Sequence, residues 1–274
     1  MDKLHFLTAG QPLSTDGAGY ERAFQILDEL KLDGMELEFV HGIRISEKSK
    51  NQVKNASKNM VLTAHAPFYI NLNAKEPEKI ESSIKYITDT AELTKELGGY
   101  SITYHAAYYM GKDKEKVYET VKSATQRIID NLKMSNNDIW VRPETTGKGT
   151  QWGDLDEVIK LSNDFEQVLP CIDFSHLHAR SIGLFNTYDE FCRIFERIGT
   201  EIGDYALENF HAHAAGIEYG DKGERKHLIF EESDMNYKDL LKAFKKFDVK
   251  GVLVCESPNI EGDAQLLKAY YESL

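Results

Sequence analysis

Short apolar, β-branched runs alternate along this chain with longer segments in which apolar residues recur every three or four positions. The runs lie at 4–8, 34–40, 61–65, 100–105, 139–144, 168–173, 207–212 and 251–256 and predict strands. The segments near 20–31, 46–58, 78–97, 113–134, 154–163, 187–198, 237–247 and 261–273 predict helices. In the third of these, Ile80, Ile84, Ile87, Leu93 and Leu97 fall mostly on one face while Glu, Lys and Asp take the other. Strands alternating with amphipathic helices predict a parallel sheet covered by helices, and eight of each favour a closed (β/α)8 TIM barrel over an open sheet. No linker, low-complexity tract or charge block divides the sequence, so a single domain over 1–274 is expected. The longest stretch without periodicity, 213–236, carries Gly216, Gly220, Gly223, Glu224, Lys226 and His227 and reads as a functional loop.

Six predicted strands end on a side chain able to ligate a metal: His65 in VLTAH, His105 in SITYH, Glu144 in IWVRPE, Asp173 in VLPCID, His211 in LENFH and Glu256 in VLVCE. Strand ends at one rim of a parallel barrel converge in space, and that rim is where catalytic groups sit in this architecture. A lone histidine at a strand end is more often a hydrogen-bonded core residue than a ligand. The joint pattern is harder to explain that way, because Asp and Glu are rarely buried without a partner. Mixed imidazole and carboxylate sets suit zinc, manganese or iron, whereas all-oxygen sets suit magnesium or calcium. Six ligands suffice for two ions, with Glu144 a candidate bridge. Two ions about 3.5–4 Å apart can activate water and stabilise both oxygens of a phosphoryl displacement.

Composition changes this picture little. The chain has 274 residues, 41% apolar and 28% charged, as expected of an ordinary enzyme. It contains no run of the roughly 20 apolar residues needed to span a bilayer. The opening MDKLHFLTAG lacks the continuous apolar segment of a signal peptide. Cys171, Cys192 and Cys255 show no metal-type spacing and read as reduced core residues of a cytoplasmic protein. No membrane and no protein partner is expected. A net charge of −12 argues against a generally basic coat for nucleic acid. Bound divalent ions would still invert the sign locally, and EFVHGIRISEKSK (38–50) is the best candidate for phosphate contact.

HAPFYINL (65–72), the His105 strand end, PETTGKGTQWG (143–153), CIDFSH (171–176), FHAHAAG (210–216) and CESPN (255–259) together resemble the endonuclease IV family. Its members are metal-dependent apurinic/apyrimidinic endonucleases within the xylose isomerase-like barrels. The resemblance implies two or three zinc ions, with manganese as an alternative, and duplex DNA containing abasic sites as substrate, cut 5′ to the lesion. It implies that His65 and His105 complete one ion, and that Glu144, the expected catalytic residue, bridges to a second held by Asp173, His211 and Glu256. His176 resembles a ligand of a third ion. Phe68 takes the place of an aromatic residue that enters the DNA, and Arg44 that of an inserting arginine. One segment departs from the family: its Asp-x-His is replaced by GERKHL (223–228), with Glu224 on the Asp position, Lys226 on the His position and His227 one residue late. Either a register shift lets His227 coordinate, or Lys226 replaces the ion and presents an ammonium to the phosphate.

The rival within the same superfamily is a sugar isomerase or epimerase, which holds a single ion with a Glu, an Asp, a His and a Glu: here Glu144, Asp173, His211 and Glu256. His65 and His105 discriminate, because such an enzyme has no need of two further imidazoles. A third class is a barrel that binds nucleic acid or a nucleotide without cutting it. Six clustered carboxylate and imidazole ligands argue against that class, since unpaired carboxylates at a rim repel one another. Strand alternation puts His213 on the same face as His211, where it is either a supporting or substitute ligand or, the preferred reading, a solvated loop histidine; His178 reads as structural. Tyr108 and Tyr109 either line a DNA groove or cover a helix start.

Overall fold

Eight parallel strands form the inner ring of the computed structural model, which describes residues 1–274. They are β1 (Leu4–Ala9), β2 (Gly34–Glu38), β3 (Val61–His65), β4 (Ser101–Tyr104), β5 (Trp140–Pro143), β6 (Cys171–Asp173), β7 (Phe210–Ala214) and β8 (Gly251–Cys255). Their order is β5-β4-β3-β2-β1-β8-β7-β6. The ring closes between β5 and β6 through two isolated parallel bridges, Val141 to Val168 and Glu144 to Cys171. The main helices between them are α1 (Tyr20–Glu29), α2 (Glu47–Ala56), α3 (Pro77–Glu96), α4 (Lys114–Met134), α5 (Leu155–Asp164), α6 (Tyr188–Glu201), α7 (Tyr237–Lys246) and α8 (Glu261–Ser273). This is the expected (β/α)8 barrel.

The two-residue period of a strand sorts the core. Met35, Leu37, Leu62, Ala64, Ile102, Tyr104, Phe210 and Leu253 belong to the large buried cluster that also holds Leu27, Ile84, Ile87, Val121, Phe195 and Phe244 of the helices. The alternate positions turn into the barrel. Only Leu7, Val252 and Val254 form an apolar cluster there, and the rest of the interior is polar, with Glu36, Thr63, Ser101, Arg142 and His211 all buried. Helix starts are fixed locally. Asp154 with Glu157, and Thr187 with Glu190, form capping boxes at α5 and α6.

Four local expectations are corrected. The sixth strand is shorter than 168–173, because Pro170 has no N–H to give the ladder and Val168 keeps only a bridge. The seventh begins later than 207, since a helical turn, Asp204–Glu208, takes its first residues; the strand then runs on to Ala214 and includes His213. The stretch 213–236 is not an irregular loop but holds an antiparallel hairpin, Gly216–Gly220 with Gly223–Leu228. A further short helix, Phe174–Arg180, starts directly after β6, where the Asp173 side chain accepts from the His176 amide. No helix is long and apolar enough to cross a membrane.

Candidate metal centre

Glu144, at the end of β5, is fully buried and surrounded by imidazoles. Its Oε1 lies 3.1 Å from His105 Nε2 and 3.0 Å from His176 Nδ1. Its Oε2 lies 3.2 Å from His65 Nε2 and 3.7 Å from His213 Nδ1. Burial on its own would favour the protonated acid. The charges of His105 and His213 and the hydrogen bonds from His105 and His176 outweigh it and hold the carboxyl well below its usual range.

Four sets of potential ligand atoms each have all their members within 4.8 Å of one another, and three of them converge on Glu144 and Asp173: His65, His105 and Glu144; Glu144, Asp173, His213 and Glu256; and Asp173, His176 and His227; the fourth is Cys171, His211 and His213. Glu144 and Asp173 each belong to two sets, so the three are contiguous. The backbone orients several of the rings. His65 Nδ1 lies 2.7 Å from the Ala66 carbonyl, His176 Nδ1 3.0 Å from the Thr145 carbonyl and His227 Nδ1 3.2 Å from the Glu256 carbonyl. A carbonyl accepts only, so each Nδ1 carries a proton; Nε2 of His65 then faces Glu144, Nε2 of His176 faces Glu224 and Nε2 of His227 is left buried and unpartnered, although His176 Nδ1 also lies against Glu144 and Asp173.

The electrostatics are those of a site short of cations. Burial alone would lower the His65 imidazolium, but the hydrogen bond and charge of Glu144, with Glu38 and Glu36 beyond it, carry it up to about 10. His176 and His213 are likewise carried well above the ordinary histidine range against the effect of burial, His176 chiefly by Asp173 and Glu144. Burial pushes Asp173 up to about 6, with His176 opposing and Glu256 and Glu144 adding. Glu38, at the end of β2, is pushed by burial up to about 8, with His65 opposing and Glu36 and Glu256 adding.

The chemistry of the donor set fits a metal of the zinc type. Asp173 Oδ2, His213 Nδ1 and His227 Nε2 are buried atoms with no hydrogen-bond partner, and all belong to the three sets. Leaving such a group unsatisfied costs about 1–3 kcal/mol, more if it is charged. A cation shared among imidazoles and carboxylates satisfies all of them at once.

The hairpin resolves the two alternatives for GERKHL. Glu218 pairs with Lys226 and Tyr219 with Glu224, which leaves Arg225 as an extra, unpaired residue. That bulge flips the alternation, so Glu224 and His227, three apart, share the inward face. His227 joins Asp173 and His176, and Glu224 Oε2 lies 3.7 Å from His176 Nε2. Lys226 is corrected: it points outward, 64% exposed and 3.4 Å from Glu218 Oε2, and presents no ammonium to the cluster. Gly147 allows the hairpin to approach, since a Cβ there would sit 2.6 Å from the Glu224 side chain. His178 is structural, as expected: buried, it lies 3.1 Å from Asp234, which also accepts from the hairpin's Tyr219 at 2.8 Å.

The structure thus gathers His65, His105, Glu144, Asp173, His176, Glu224, His227 and Glu256. It does not bring His211 to the rim. His211 lies two residues earlier on β7, about 7 Å along the strand, bonded at 2.7 Å to Ser101 Oγ and 3.1 Å from Glu36. Burial, partly opposed by Glu36, lowers it to about 4. His213 takes its place and is fully buried rather than solvated. Glu36 and Glu38 are carboxylates that the sequence reading passed over. Their signal is GMELE, in which Glu recurs with period two inside an otherwise apolar strand. Phe68 stands 53% exposed beyond the end of β3, edge-on to His41. Arg44 is exposed, and its charge acts on neighbouring Tyr69. Tyr108 is 38% exposed, whereas Tyr109 is buried and donates to Glu157 at 2.7 Å.

Comparison with known proteins agrees with this architecture. The family described as xylose isomerase-like TIM barrel matches residues 24–274. An uncharacterised protein of Methanocaldococcus jannaschii is 45% identical over 271 residues, covering 99% of this chain and 98% of its own. A "probable endonuclease 4" of Mycoplasma genitalium is 25% identical over 221 residues, 76% of this chain and 70% of its own. Among solved structures, a D-tagatose 3-epimerase-like protein superposes with a TM-score of 0.76 at 18% identity, covering 99% of this chain and 97% of its own.

Proposed function

The chain belongs to the xylose isomerase-like TIM barrel family, and from that premise we propose that it is a zinc-dependent phosphodiester hydrolase of the endonuclease IV kind, incising duplex DNA 5′ to abasic sites. The observation that carries this reading is the doubled use of Glu144. Its Oε2 meets His65 and its Oε1 meets His105, and it also belongs to one set with Asp173, His213 and Glu256. A single-ion sugar isomerase or epimerase would use only that second set and leave His65, His105, His176 and His227 without a task.

In this reading His65, His105 and Glu144 would hold one ion, Glu144, Asp173, His213 and Glu256 a second, and Asp173, His176 and His227, with Glu224 beside them, a third. Bound there, the ions would supply Lewis acidity to activate a water and neutralise charge on the phosphoryl oxygens. The protein's own part is to orient and to exclude water. Fully buried Glu144 and Asp173 give the cluster a fixed frame of low dielectric, in which electrostatic stabilisation counts for more. Phe68 and Arg44 stand by the mouth, where an abasic nucleotide would be displaced from the stack; displacement is least costly where the base is missing. The weak relation to an endonuclease 4 supports the same reading.

A duplex oligonucleotide carrying one abasic analogue tests it. Incision on the 5′ side of the lesion, leaving a 3′-hydroxyl, is the expected outcome. An uncut duplex together with epimerisation of a ketose would transfer the assignment to the sugar enzymes.

A further inference from the structure

Glu36 takes no part in the three ligand sets, yet it is fully buried inside the barrel with no Lys or Arg against it. Its neighbours are all donors. The Thr63 hydroxyl donates to Oε2 at 2.7 Å. His211 Nε2 lies 3.1 Å from Oε2, and His213 Nε2 lies 2.9 Å from Oε1.

A chain of fixed protons leads to it. Arg142, a permanent donor, gives its Nε–H to Ser101 Oγ at 3.1 Å. The Ser101 hydroxyl meets no acceptor other than His211 Nδ1, at 2.7 Å, so satisfying its one proton sends it there. His211 therefore carries its own proton on Nε2, facing Glu36. The two imidazole approaches to Glu36 are close but bent, so Glu36 Oε1 and His213 Nε2 make no well-directed bond. Each is nonetheless a close polar complement of the other.

We infer that Glu36 is a positioning residue: it holds the Nε2–H of His213 and thereby turns the Nδ1 lone pair into the metal centre. The inference rests on the metal-centre reading above. His213 Nδ1 lies 3.2 Å from Glu256 Oε1 and 3.7 Å from Glu144 Oε2. A lone pair set between two carboxylates is repulsive unless a cation lies among them. A carboxylate behind a ligating imidazole fixes the ring's tautomer and raises its basicity, and losing such a partner typically costs 10–100-fold in metal affinity. Glutamine cannot substitute. Its amide offers one acceptor and two donors to three donors, so an N–H must face an N–H.

The test compares wild-type protein with Glu36→Gln and Glu36→Asp, measuring zinc affinity by chelator competition and thermal stability beside it. The imidazole ¹⁵N spectrum of zinc-loaded wild type gives a readout that needs no Glu36 variant, with His213→Asn assigning the resonance. The expected result is a 10–100-fold loss of affinity for one ion in Glu36→Gln, substantial recovery in Glu36→Asp, and His213 coordinated through Nδ1 with its proton on Nε2. Wild type that binds zinc through Nε2 of His213, or Glu36→Gln that binds as tightly as wild type, would overturn the inference alone. Wild type that binds no zinc would overturn the metal centre and this inference with it.

Discussion

His213 stands across from Asp173 in the parallel pairing of β6 and β7, and His211, two residues earlier, stands across from Cys171. Both histidines point into the barrel, so register alone decides which one reaches the rim. The expected consequence is a separation of roles. His213→Asn should lower the bound metal by one ion per chain. His211→Asn should keep the count but lower stability by about 1–3 kcal/mol, because Glu36 and Ser101 lose a buried partner. Elemental analysis beside thermal unfolding distinguishes the two.

The extra residue Arg225 sets the inward face of the hairpin. Deleting it leaves Glu224 and His227 two residues apart, so simple alternation keeps both inward and the ion between Asp173, His176 and His227 should be retained, whereas His227→Asn should lose it. Lys226→Ala should leave metal content unchanged, since that side chain meets only Glu218. Loss of metal in Lys226→Ala equal to that in His227→Asn would contradict the register described here.

Metal uptake should release protons. His65, raised to about 10, is charged at pH 7 without metal, and a ligand must be neutral to coordinate. Protons and metal therefore compete, and zinc affinity should rise as pH rises toward that value and fall as pH drops. Calorimetric titration in two buffers of different ionisation enthalpy measures the release. Binding heats that do not depend on the buffer would count against His65 as a ligand.

Glu144→Gln keeps the shape of the side chain and removes the charge that the two sets share. The fold should survive, while transition-state stabilisation falls by at least ~3 kcal/mol, about a hundredfold in rate. Incision of abasic DNA near the wild-type rate would remove Glu144 from its shared position.

Much of this was legible in the sequence because barrel strands announce themselves by apolar runs and the rim by the residue that follows. The ends of β3, β4, β5, β6 and β8 bring His65, His105, Glu144, Asp173 and Glu256 together at one rim. β7 misled, since FHAHA carries two histidines in phase and only the pairing with β6 tells them apart. GERKHL was ambiguous for a related reason: a bulge is a property of two strands, and one strand's sequence does not reveal which residue goes unpaired. Glu36 and Glu38 were hidden by an expectation that buried strand residues are apolar. Their burial makes sense only once the imidazoles from β3 and β7 are brought against them.

The central claim, that Glu144 is common to two ion sites, is tested most directly by metal stoichiometry on protein purified without chelator. Two or three zinc-type ions per chain, with at least one lost in Glu144→Gln, is the result this account expects. A single ion per chain, retained when His65 and His105 are replaced, would contradict it.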